Sequence, residues 1–531
     1  MSPRDNGLPN RRLAYAALLV ALSWGAVAAA GADDVPLIAA ARTQDADAVR
    51  TLLADGVDVN IRQADGATAL HWAAYRDDLE LATILLEAGA DVDAVNDLGA
   101  TPLWLSADNG SAAMVKRLVD AGADPNVTLH EGETPVMTAA RTGNADAVRH
   151  LIAHGANVNA TEHSRNQTAL MWAAAQGHHE TIEVLLEHGA NVASRSRVRP
   201  RLMHSDSTNA SQYDQGIIWN RGGYTPLLFA ARHGDVATGR LLVAGGADIN
   251  DAAPTGASVL VVATHSGHSA FARFALDTGA DPNDMGAGYA PLHAAVLRGD
   301  VDLIRVLLAR GADPNIRFEN STPLRRASQD WHLAPQLISA TPYWLAAYYQ
   351  EPDIMRALAD GGADTTLNTL EEWNHVFERA GGVGPPHIVG GFQTALQAAV
   401  RGRHDRGRGL LSSEQRDPDA EELHALHAAQ VSLELGADVN HADHRGNVAM
   451  HTAAQRNHET IVKFLAEHGA NLDIENARGQ TPLALAQRAE EGRLARPDIT
   501  RYPSGNSAQA LRDLGASDHS EDEKAADEWP Q

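Results

Sequence analysis

The segment Asp65–Asn96, DGATALHWAAYRDDLELATILLEAGADVDAVN, decides the fold. It predicts a first helix over about Ala69–Arg76 with Thr68 as its N-cap, and a second helix over about Leu79–Ala88. Gly89 follows the second helix, where a left-handed cap is expected. Each helix is shorter than the ~12–15 residues that an isolated helix needs. We therefore expect the segment to bury its apolar face against similar neighbours.

The same pattern recurs along the chain. Gly-Ala-Asp-x-Asn or a close variant begins at 33- or 34-residue spacing up to Gly189, and three of the six later intervals are wider. The motif begins at Gly56, Gly89, Gly122, Gly155, Gly189, Gly246, Gly279, Gly311, Gly362, Gly436 and Gly469. Thr-Pro-Leu-x-x-Ala-Ala or a variant keeps step with it, at Thr68, Thr101, Thr134, Thr168, Thr225, Ala290, Thr341, Val448 and Thr481. An internal period of this length is the signature of a solenoid.

These motifs at a 33-residue period resemble the ankyrin repeat. The resemblance covers about Val35–Ser517 in roughly twelve units. It implies an all-α ankyrin-repeat solenoid, in which each unit is a helix-turn-helix plus a hairpin finger. It also implies that His71, His293 and His451, which match the family's Thr-Pro-Leu-His motif, form hydrogen bonds between repeats. The family is defined by a binding scaffold and not by a reaction.

Composition excludes several classes of function. The formal charge of −25 over 531 residues does not fit the electrostatic footprint of a nucleic-acid-binding protein. The chain has no cysteine, which excludes disulfides, thiolate metal sites and cysteine nucleophiles. Walker loops, G-x-S-x-G elbows and Rossmann fingerprints are also missing from the sequence. We therefore expect no enzyme activity, no cofactor and no nucleic-acid partner.

Some of the 25 histidines invite a metal-site interpretation. The stretches His178–Glu183 (HHETIE) and Asn457–Val462 (NHETIV) resemble part of H-E-x-x-H but lack its second histidine. His424 and His427 have helical spacing, but no complete ligand set accompanies them. We expect these histidines to be structural and predict no metal site.

The N-terminus predicts export. Arg4, Arg11 and Arg12 precede the apolar run Leu13–Leu22, and small residues suited to cleavage follow it. This layout is typical of a secretory signal peptide over 1–32, which predicts a periplasmic or secreted protein without stable membrane insertion. An uncleaved anchor is the alternative, but the run is short for a hydrocarbon layer about 30 Å thick.

Where the interval between two motif glycines clearly exceeds 33 residues, the extra residues predict an insertion in this repeat array. Three fall at hairpin fingers and one falls between two helices of a unit. The expected organisation is a signal peptide 1–32, repeats 33–193, an inserted finger 194–223, repeats 224–317, an insertion 318–340, a repeat 341–366, an insertion 367–391, repeats 392–477 with an inter-helix insertion 403–419, a capping repeat 478–516 and an acidic tail 517–531.

By the same resemblance, the two residues after each Ala-Ala pair or its equivalent face the concave groove. We call these residues the helix-end row. They are Tyr75, Arg76, Asp108, Asn109, Arg141, Thr142, Ala175, Gln176, Arg232, His233, His265, Ser266, Leu297, Arg298, Tyr348, Tyr349, Arg401, Gly402, Gln455 and Arg456. Arginine and aromatic residues are enriched at interface hot spots. A recognition role is therefore expected, although these arginines are also explained as residues that keep the face soluble.

The inserted finger 194–223 is basic within an acidic protein. Five arginines face two aspartates there, a balance of +3, and Tyr213 and Trp219 add aromatic surface. Folding back onto the groove and gripping a partner both remain open for this segment. The residues predicted to bind a partner are Tyr75, Arg76, Arg141, Arg195, Arg197, Arg199, Arg201, Tyr213, Trp219, Arg221, Arg232, His233, Arg298, Tyr348 and Tyr349.

The sequence thus predicts a non-enzymatic protein-binding scaffold. We expect a monomer whose protein partner has an acidic or extended surface. A secreted effector or toxin-neutralising protein is one alternative, and a metal-dependent hydrolase built on the insertions is another.

Overall fold

The computed structural model describes most of the chain and divides it into two compact units. Unit 1 ends at Ser164 and unit 2 begins at Arg165. The described residues are 35–204, 216–319, 337–370, 373–375, 378–379, 382–383, 387–389, 391–402, 417–495 and 504–517. The predicted signal peptide lies outside them, as does the tail after Ser517.

The described part of unit 1 is a series of paired short helices. The first helices of the pairs are α1 (Pro36–Arg42), α3 (Ala69–Arg76), α5 (Pro102–Asp108) and α7 (Pro135–Thr142). The second helices are α2 (Ala46–Ala54), α4 (Leu79–Glu87), α6 (Ala112–Asp120) and α8 (Ala145–Ala153). Side-chain caps begin many of them, as where Thr101 Oγ1 accepts from the Trp104 N–H at 3.2 Å. Gly89 has φ +87° after α4, the left-handed conformation that glycine adopts without strain.

Neighbouring repeats of unit 1 pack helix against corresponding helix. First helix α3 contacts α5, and α5 contacts α7, while second helix α6 contacts α8. Ala73 and Ala74 are fully buried in α3, because small side chains let neighbouring first helices approach closely. The predicted solenoid packing is confirmed within this unit.

The fingers of unit 1 are tied to each other by backbone hydrogen bonds. The Asp97 N–H donates to the Asp65 carbonyl at 2.9 Å, and the His163 N–H donates to the Glu131 carbonyl at 2.7 Å. Asn60 adds a side-chain link, since it donates to the Gly89 carbonyl at 3.3 Å. These bonds satisfy finger backbone groups that have no helix to pair with.

Unit 2 continues the alternation with longer interruptions. Its elements are α9 (Ala169–Gln176), α10 (His179–Glu187), β1 (Arg199–His204), β2 (Gly216–Arg221), α11 (Pro226–His233), α12 (Val236–Ala244), α13 (Val259–Ser266), α14 (Ser269–Asp277), α15 (Pro291–Arg298), α16 (Val301–Ala309), α17 (Pro342–Tyr348), α18 (Pro352–Asp360), β3 (Trp373–His375), β4 (Glu378–Arg379), β5 (Gly382–Val383), β6 (His387–Val389), α19 (Ala395–Arg401), α20 (Pro418–Glu434), α21 (Ala449–Gln455), α22 (Glu459–Glu467), α23 (Pro482–Ala495) and α24 (Ser507–Asp513).

The insertions of unit 2 leave its helix stack intact. First helix α9 contacts α11 on the far side of the insertion 194–223, and α17 contacts α19 on the far side of 367–391. Within 194–223, β1 and β2 form an antiparallel hairpin in which Arg199 pairs with Arg221. Within 367–391, β3 pairs with β6 and β4 pairs with β5. Both insertions therefore contain short strands, which the sequence did not predict.

The second helix α20 departs from the regular repeat. It has 17 residues where most other second helices of the array have nine, and it begins at Pro418, inside the predicted inter-helix insertion 403–419. Residues 403–416 lie outside the described part. Among all described residues, no helix combines the length and apolar character that crossing a membrane requires.

Candidate binding face

The helix-end row lies at the C-terminal ends of the first helices. In unit 1 these helices end at Arg76, Asp108 and Thr142. Arg76 and Thr142 are exposed, whereas Tyr75 is half-buried. Several side chains of the row are therefore exposed, but their partners within the protein differ from one repeat to the next.

Two polar row members of unit 1 bond to the preceding repeat. Asn109 donates from Nδ2 to the carbonyls of Ala74 at 3.1 Å and Tyr75 at 2.8 Å. Arg141 donates to Asp108 at 2.6 Å, and its guanidinium lies 3.8 Å from the Glu133 carboxylate. Arg141, predicted to bind a partner, thus already makes an ion pair across the repeat boundary.

The electrostatics around Arg141 favour this internal role. Thr138 donates to Glu133 Oε1 at 2.7 Å. Burial raises the pKa of Glu133 above its usual value, the neighbouring carboxylates Asp108 and Glu162 raise it further, and Arg141 opposes them. The Arg141 charge offsets the repulsion within this carboxylate cluster, so little of it is free to attract a partner.

Tyr75 and Arg76 form a preorganised cationic and aromatic patch. The Arg76 guanidinium carbon lies 5.8 Å from the centre of the Tyr75 ring and 5.9 Å from that of Trp72. The two rings meet edge to face at 6.0 Å. Trp72 is fixed because its Nε1–H donates to Gln63 Oε1 at 3.1 Å. The rule that the two residues after each Ala-Ala pair face the groove, here called the row rule, did not select Trp72. Trp72 precedes Tyr75 by three residues and so lies on the same helix face.

Unit 2 has a corresponding patch at Arg232. Its guanidinium carbon lies 6.0 Å from the centre of the Tyr224 ring, which meets Phe229 edge to face at 5.7 Å. Arg232 and His233 are both exposed. His233 is oriented because its Nδ1–H donates to the Phe229 carbonyl at 2.8 Å. Tyr224 and Phe229 complete this patch but were not among the predicted residues.

Farther along unit 2, the row becomes internally bonded. Arg298 donates from Nε to the His265 carbonyl at 2.6 Å. The Tyr289 hydroxyl lies 3.4 Å from His265 Nδ1, and burial raises the pKa of Tyr289. Arg298 is half-buried and braces neighbouring repeats in addition to any contact with a partner.

The row rule is wrong for three of its members, one of which is the buried Gly402. Tyr349 is only 3% exposed and Leu297 is fully buried. Tyr348 is half-buried, and its ring stacks on Trp344 with centroids 5.7 Å apart and meets Tyr349 edge to face. Tyr349 packs inside the stack, so its side chain has no surface to offer a partner.

At the root of the insertion 194–223, where the inserted residues leave and rejoin the repeat stack, one arginine has a different role from the one predicted. Arg195 donates from Nη1 to the carbonyls of Gly223 and Ala252, both at 3.0 Å, and its Nη2 pairs with Asp251. Asp251 in turn accepts from Thr225 Oγ1 at 2.7 Å. Arg195, predicted to bind a partner, instead joins the insertion to the next finger.

This arginine recurs at one position of the repeat. Arg62, Arg195 and Arg317 each follow the glycine of their Gly-Ala-Asp-type motif by six residues. Arg62 donates to the Val95 carbonyl at 2.9 Å, and Arg317 donates to the carbonyls of Ser339 and Asn368 at 2.8 and 2.9 Å. An alignment of the repeats shows this shared position, which is the sequence signal for a common role of Arg62, Arg195 and Arg317.

The other predicted residues of the insertion fall on its hairpin. Arg197, Arg199 and Arg221 are exposed. Arg201 pairs in register with Trp219 across the two strands. Tyr213 lies outside the described residues. Arg197, Arg199 and Arg221 therefore carry basic character at the surface of this insertion.

The histidines of the Thr-Pro-Leu-His motif have the bonding that the resemblance implied. The Nδ1 atom of His71 accepts from the Thr68 N–H and its Nε2–H donates to the Ala100 carbonyl, each at 3.1 Å. His451 bonds likewise to the Gln480 carbonyl at 3.0 Å. Burial lowers the pKa of His71 to about 4, and that of His293 likewise. These histidines are neutral links between repeats at neutral pH.

Metal-ligating residues do not cluster in the described part of the chain. No group of three or more His, Asp or Glu side chains there is arranged to hold a metal ion. His154, for example, lies 3.3 Å from Asp120, and the His179 ring pairs with Asp235 at 2.9 Å. These two histidine–carboxylate contacts join neighbouring repeats.

Comparisons with known proteins agree with this architecture. A family model of ankyrin repeats in three copies matches residues 37–129, 103–196, 227–318 and 427–496, which together exceed half of the chain. A second model, of ankyrin repeats in many copies, matches 170–243. Repeats of this kind indicate a protein-binding scaffold and suggest protein partners.

Individual relatives cover only part of the chain. The B-cell lymphoma 3 protein homolog of Mus musculus is 34% identical over 231 residues, 43% of this chain and 46% of that protein. Ankyrin repeat and SOCS box protein 16 of Homo sapiens is 32% identical over 233 residues, 43% of this chain and 47% of that protein. The crystal structure of the human ASB11 ankyrin repeat domain is 28% identical, with a TM-score of 0.38, and covers 47% of this chain and all of that one. The chain thus spans about half the length of the two curated relatives.

Proposed function

This chain belongs to the ankyrin-repeat family, and from that premise we propose that it is a non-enzymatic scaffold that binds a protein partner through its helix-end row and the insertion 194–223. The observation that carries the proposal is the patch of Tyr224, Phe229 and Arg232, which lies where the row meets the root of the insertion. Aromatic rings that hold an exposed arginine in place reduce the entropy lost on binding.

The chemistry of this surface favours an acidic partner. Arg197 and Arg199 are exposed beside the root, and Arg232 is exposed on the row, where it contacts the Tyr224 ring. Guanidinium groups recognise carboxylates through paired hydrogen bonds, and arginine is enriched in interface hot spots. Exposed Val198 adds apolar surface between Arg197 and Arg199. We infer a partner segment in which acidic residues flank an apolar one.

The test is capture of a partner by the full chain with a charge-matched control. Arg197, Arg199 and Arg232 are changed together to alanine in one variant. In the control, the exposed second-helix arginines Arg240, Arg305 and Arg356 are changed to alanine instead. Both variants lose three positive charges, so nonspecific electrostatic effects are equal.

We expect a cross-linked partner to be recovered by the native protein and the control but not by the row variant. Equal recovery by all three proteins would contradict the assignment of this face. Thermal unfolding of each variant shows whether it is folded, since surface substitutions of this kind change stability by less than about 0.5 kcal/mol.

We also propose that the protein is exported, on the basis of the signal-like segment 1–32. Expression of the full chain in a Gram-negative bacterium, followed by fractionation and N-terminal sequencing, tests this. A periplasmic or secreted product that begins after Ala28, Ala30 or Ala32 is expected. A cytoplasmic product that retains Met1 would contradict export.

A further inference from the structure

The two larger finger insertions of unit 2 approach each other. Cα atoms of β2 lie within 8 Å of Cα atoms of β4. The strands belong to different two-stranded sheets, since β2 pairs with β1 and β4 pairs with β5. The approach therefore joins two separate insertions that are rooted in different repeats.

The first insertion is rooted against the helix-end row at Arg232. The Ser196 N–H donates to the Tyr224 carbonyl at 3.0 Å, and the Tyr224 N–H donates to Ser196 Oγ at 2.9 Å. The Tyr224 ring then contacts Arg232. Gly222 has φ +96°, and a Cβ atom there would lie 2.2 Å from the Arg197 carbonyl oxygen, so the two strands leave the root closely paired.

The second insertion is rooted against the same row at Tyr348. The Thr369 N–H donates to the Gln393 carbonyl at 3.0 Å, and the Gln393 N–H donates to Thr369 Oγ1 at 2.9 Å. The Trp344 Nε1–H also donates to the Gln393 carbonyl at 3.0 Å, and its ring stacks on Tyr348.

The row between these two roots is continuous. It runs from Arg232 through His265 and Ser266 to Arg298 and Tyr348, and Arg298 bonds directly to the His265 carbonyl. The insertion that contains β2 is therefore rooted at one end of this segment of the row, and the insertion that contains β4 is rooted at its other end. His265, Ser266 and Arg298 lie on the row between the two roots.

Charge complementarity favours the approach of the two insertions. Residues 194–223 carry five arginines and two aspartates, a balance of +3, and residues 367–391 carry three glutamates and one arginine, a balance of −2. Opposite charges at a surface attract at low ionic strength, and salt screens the attraction.

We propose that β2 and β4 form a clasp that closes over the row between Arg232 and Tyr348, so that an extended polypeptide segment reaches His265 and Arg298 while a folded domain is excluded. The clasp is a property of the free protein. Its test is therefore independent of whether the proposed partner is found.

The first measurement is cross-linking of the clasp in the full chain. The native sequence has no cysteine, so an introduced pair is unique. Glu378→Cys is combined with Ile217→Cys or with Ile218→Cys, because neighbouring strand residues point to opposite sides. Bismaleimidoethane, a short bifunctional thiol reagent, bridges a pair at this separation with less demand on geometry than a disulfide.

We expect intramolecular bridging of the monomer in at least one pair, and less bridging at high salt. The control pair is Glu378→Cys with Asp302→Cys, which lies exposed on second helix α16. Bridging of both test pairs no greater than that of the control would overturn the clasp.

The second measurement asks whether the clasp covers the row. Ser266→Cys is labelled with N-ethylmaleimide and with a maleimide that carries a 5-kDa polyethylene glycol. Adding Glu378→Arg changes the balance of residues 367–391 from −2 to 0 and so removes the net attraction between the insertions, and Asp302→Arg on α16 is the control with the same charge change. We expect Glu378→Arg to accelerate labelling by the large reagent about fivefold, as the open population grows, and to leave labelling by the small reagent unchanged.

Equal rates for the large reagent in all three proteins would show that the clasp does not cover the row. If Glu378→Arg accelerated labelling by both reagents, the helix end itself would have loosened. That outcome would also overturn the proposal.

Discussion

Links between repeats are the same where the period is kept and where it is interrupted. His71 in unit 1 donates to a carbonyl 29 residues later, and His293 in unit 2 donates to one 47 residues later. Asn126 accepts from an N–H 31 residues later, and Asn315 accepts from one 49 residues later, both at 2.8 Å. The bonding groups on either side of the extra residues thus still meet.

The two regions differ in how a finger is closed. In unit 1 the exposed Arg62 makes a single bond to the next finger. At the insertion in unit 2, Arg195 bonds to two carbonyls and one carboxylate. A longer loop costs more entropy to close, but the cost grows slowly with its length. A few added bonds at the root are therefore enough to hold a long insertion in place.

The largest expected effect comes from removing the histidine links. His71→Ala and His293→Ala each leave a cavity and unpaired backbone groups, so each should lower the free energy of unfolding by about 3 kcal/mol. Denaturant unfolding of the two variants measures this. If His293→Ala lowered the free energy of unfolding by less than half as much as His71→Ala, the link across the insertion would be the weaker one. That result would contradict the equivalence of the two links.

Acid should weaken the same links. Burial lowers the pKa of His71 from 6.5 to about 4, so the unfolded chain binds the proton more tightly than the folded one. This stability is therefore fully present above pH 6.5 and is lost as the pH falls toward 4, by about 2 kcal/mol at pH 5. The difference in melting temperature between pH 7.5 and pH 5 measures the loss.

The chain itself offers the control for this pH effect. Gln397 occupies the histidine position in α19, where it accepts from the Thr394 N–H at 2.9 Å and donates to the Asn447 carbonyl at 2.6 Å. His71→Gln should keep both bonds and reduce the pH dependence. An unchanged pH dependence in this variant would assign the acid effect to other groups.

Arg195→Met should loosen the root of the insertion by about 1.5 kcal/mol, because it removes charge-assisted bonds but keeps much of the apolar stem. Hydrogen exchange of the Ser196 N–H should become about tenfold faster, as that free energy implies. Arg62→Met, which loses one exposed bond, should change the exchange of its own finger far less. Equal effects would show that the brace is no stronger at the insertion.

The smallest effect is expected at the asparagine links. Asn126→Asp keeps the acceptor but loses the Nδ2 donor to the Gly155 carbonyl, at a cost of about 1 kcal/mol. Asn315→Asp should cost less, since the bond of that side chain across the insertion uses only its acceptor. Asp93 makes the equivalent link with an acceptor alone, because its carboxylate accepts from the Asp124 N–H at 3.0 Å and has no N–H to donate. A larger loss at Asn315 than at Asn126, measured by thermal unfolding, would contradict this ranking.

Much of the local structure could be predicted from sequence. The first helix of the segment that decides the fold spans Ala69–Arg76 as predicted, and the second ends at Glu87, one residue before the predicted end. Caps, glycine stops and small residues act within one repeat, so a repeated motif specifies them many times over.

The candidate face was predicted less well, because burial and pairing depend on the neighbouring repeat. Tyr349 fits the row by position but packs inside the stack. Arg195 carries a charge that suits a partner, but Asp251 of the next finger pairs with it. Comparing residues at the same position of the repeat shows that Arg195 recurs as Arg62 and Arg317, but it shows neither the pairing of Arg195 nor the burial of Tyr349.

The sequence by itself determined the ankyrin repeat, its period and the places where the period breaks, because these follow from local helix signals and from counting residues. The tertiary structure decided which arginines brace fingers, which aromatic rings hold Arg76 and Arg232 in place, and that β2 approaches β4. Those contacts join residues that are far apart in the chain, and their formation depends on how each repeat packs on the next.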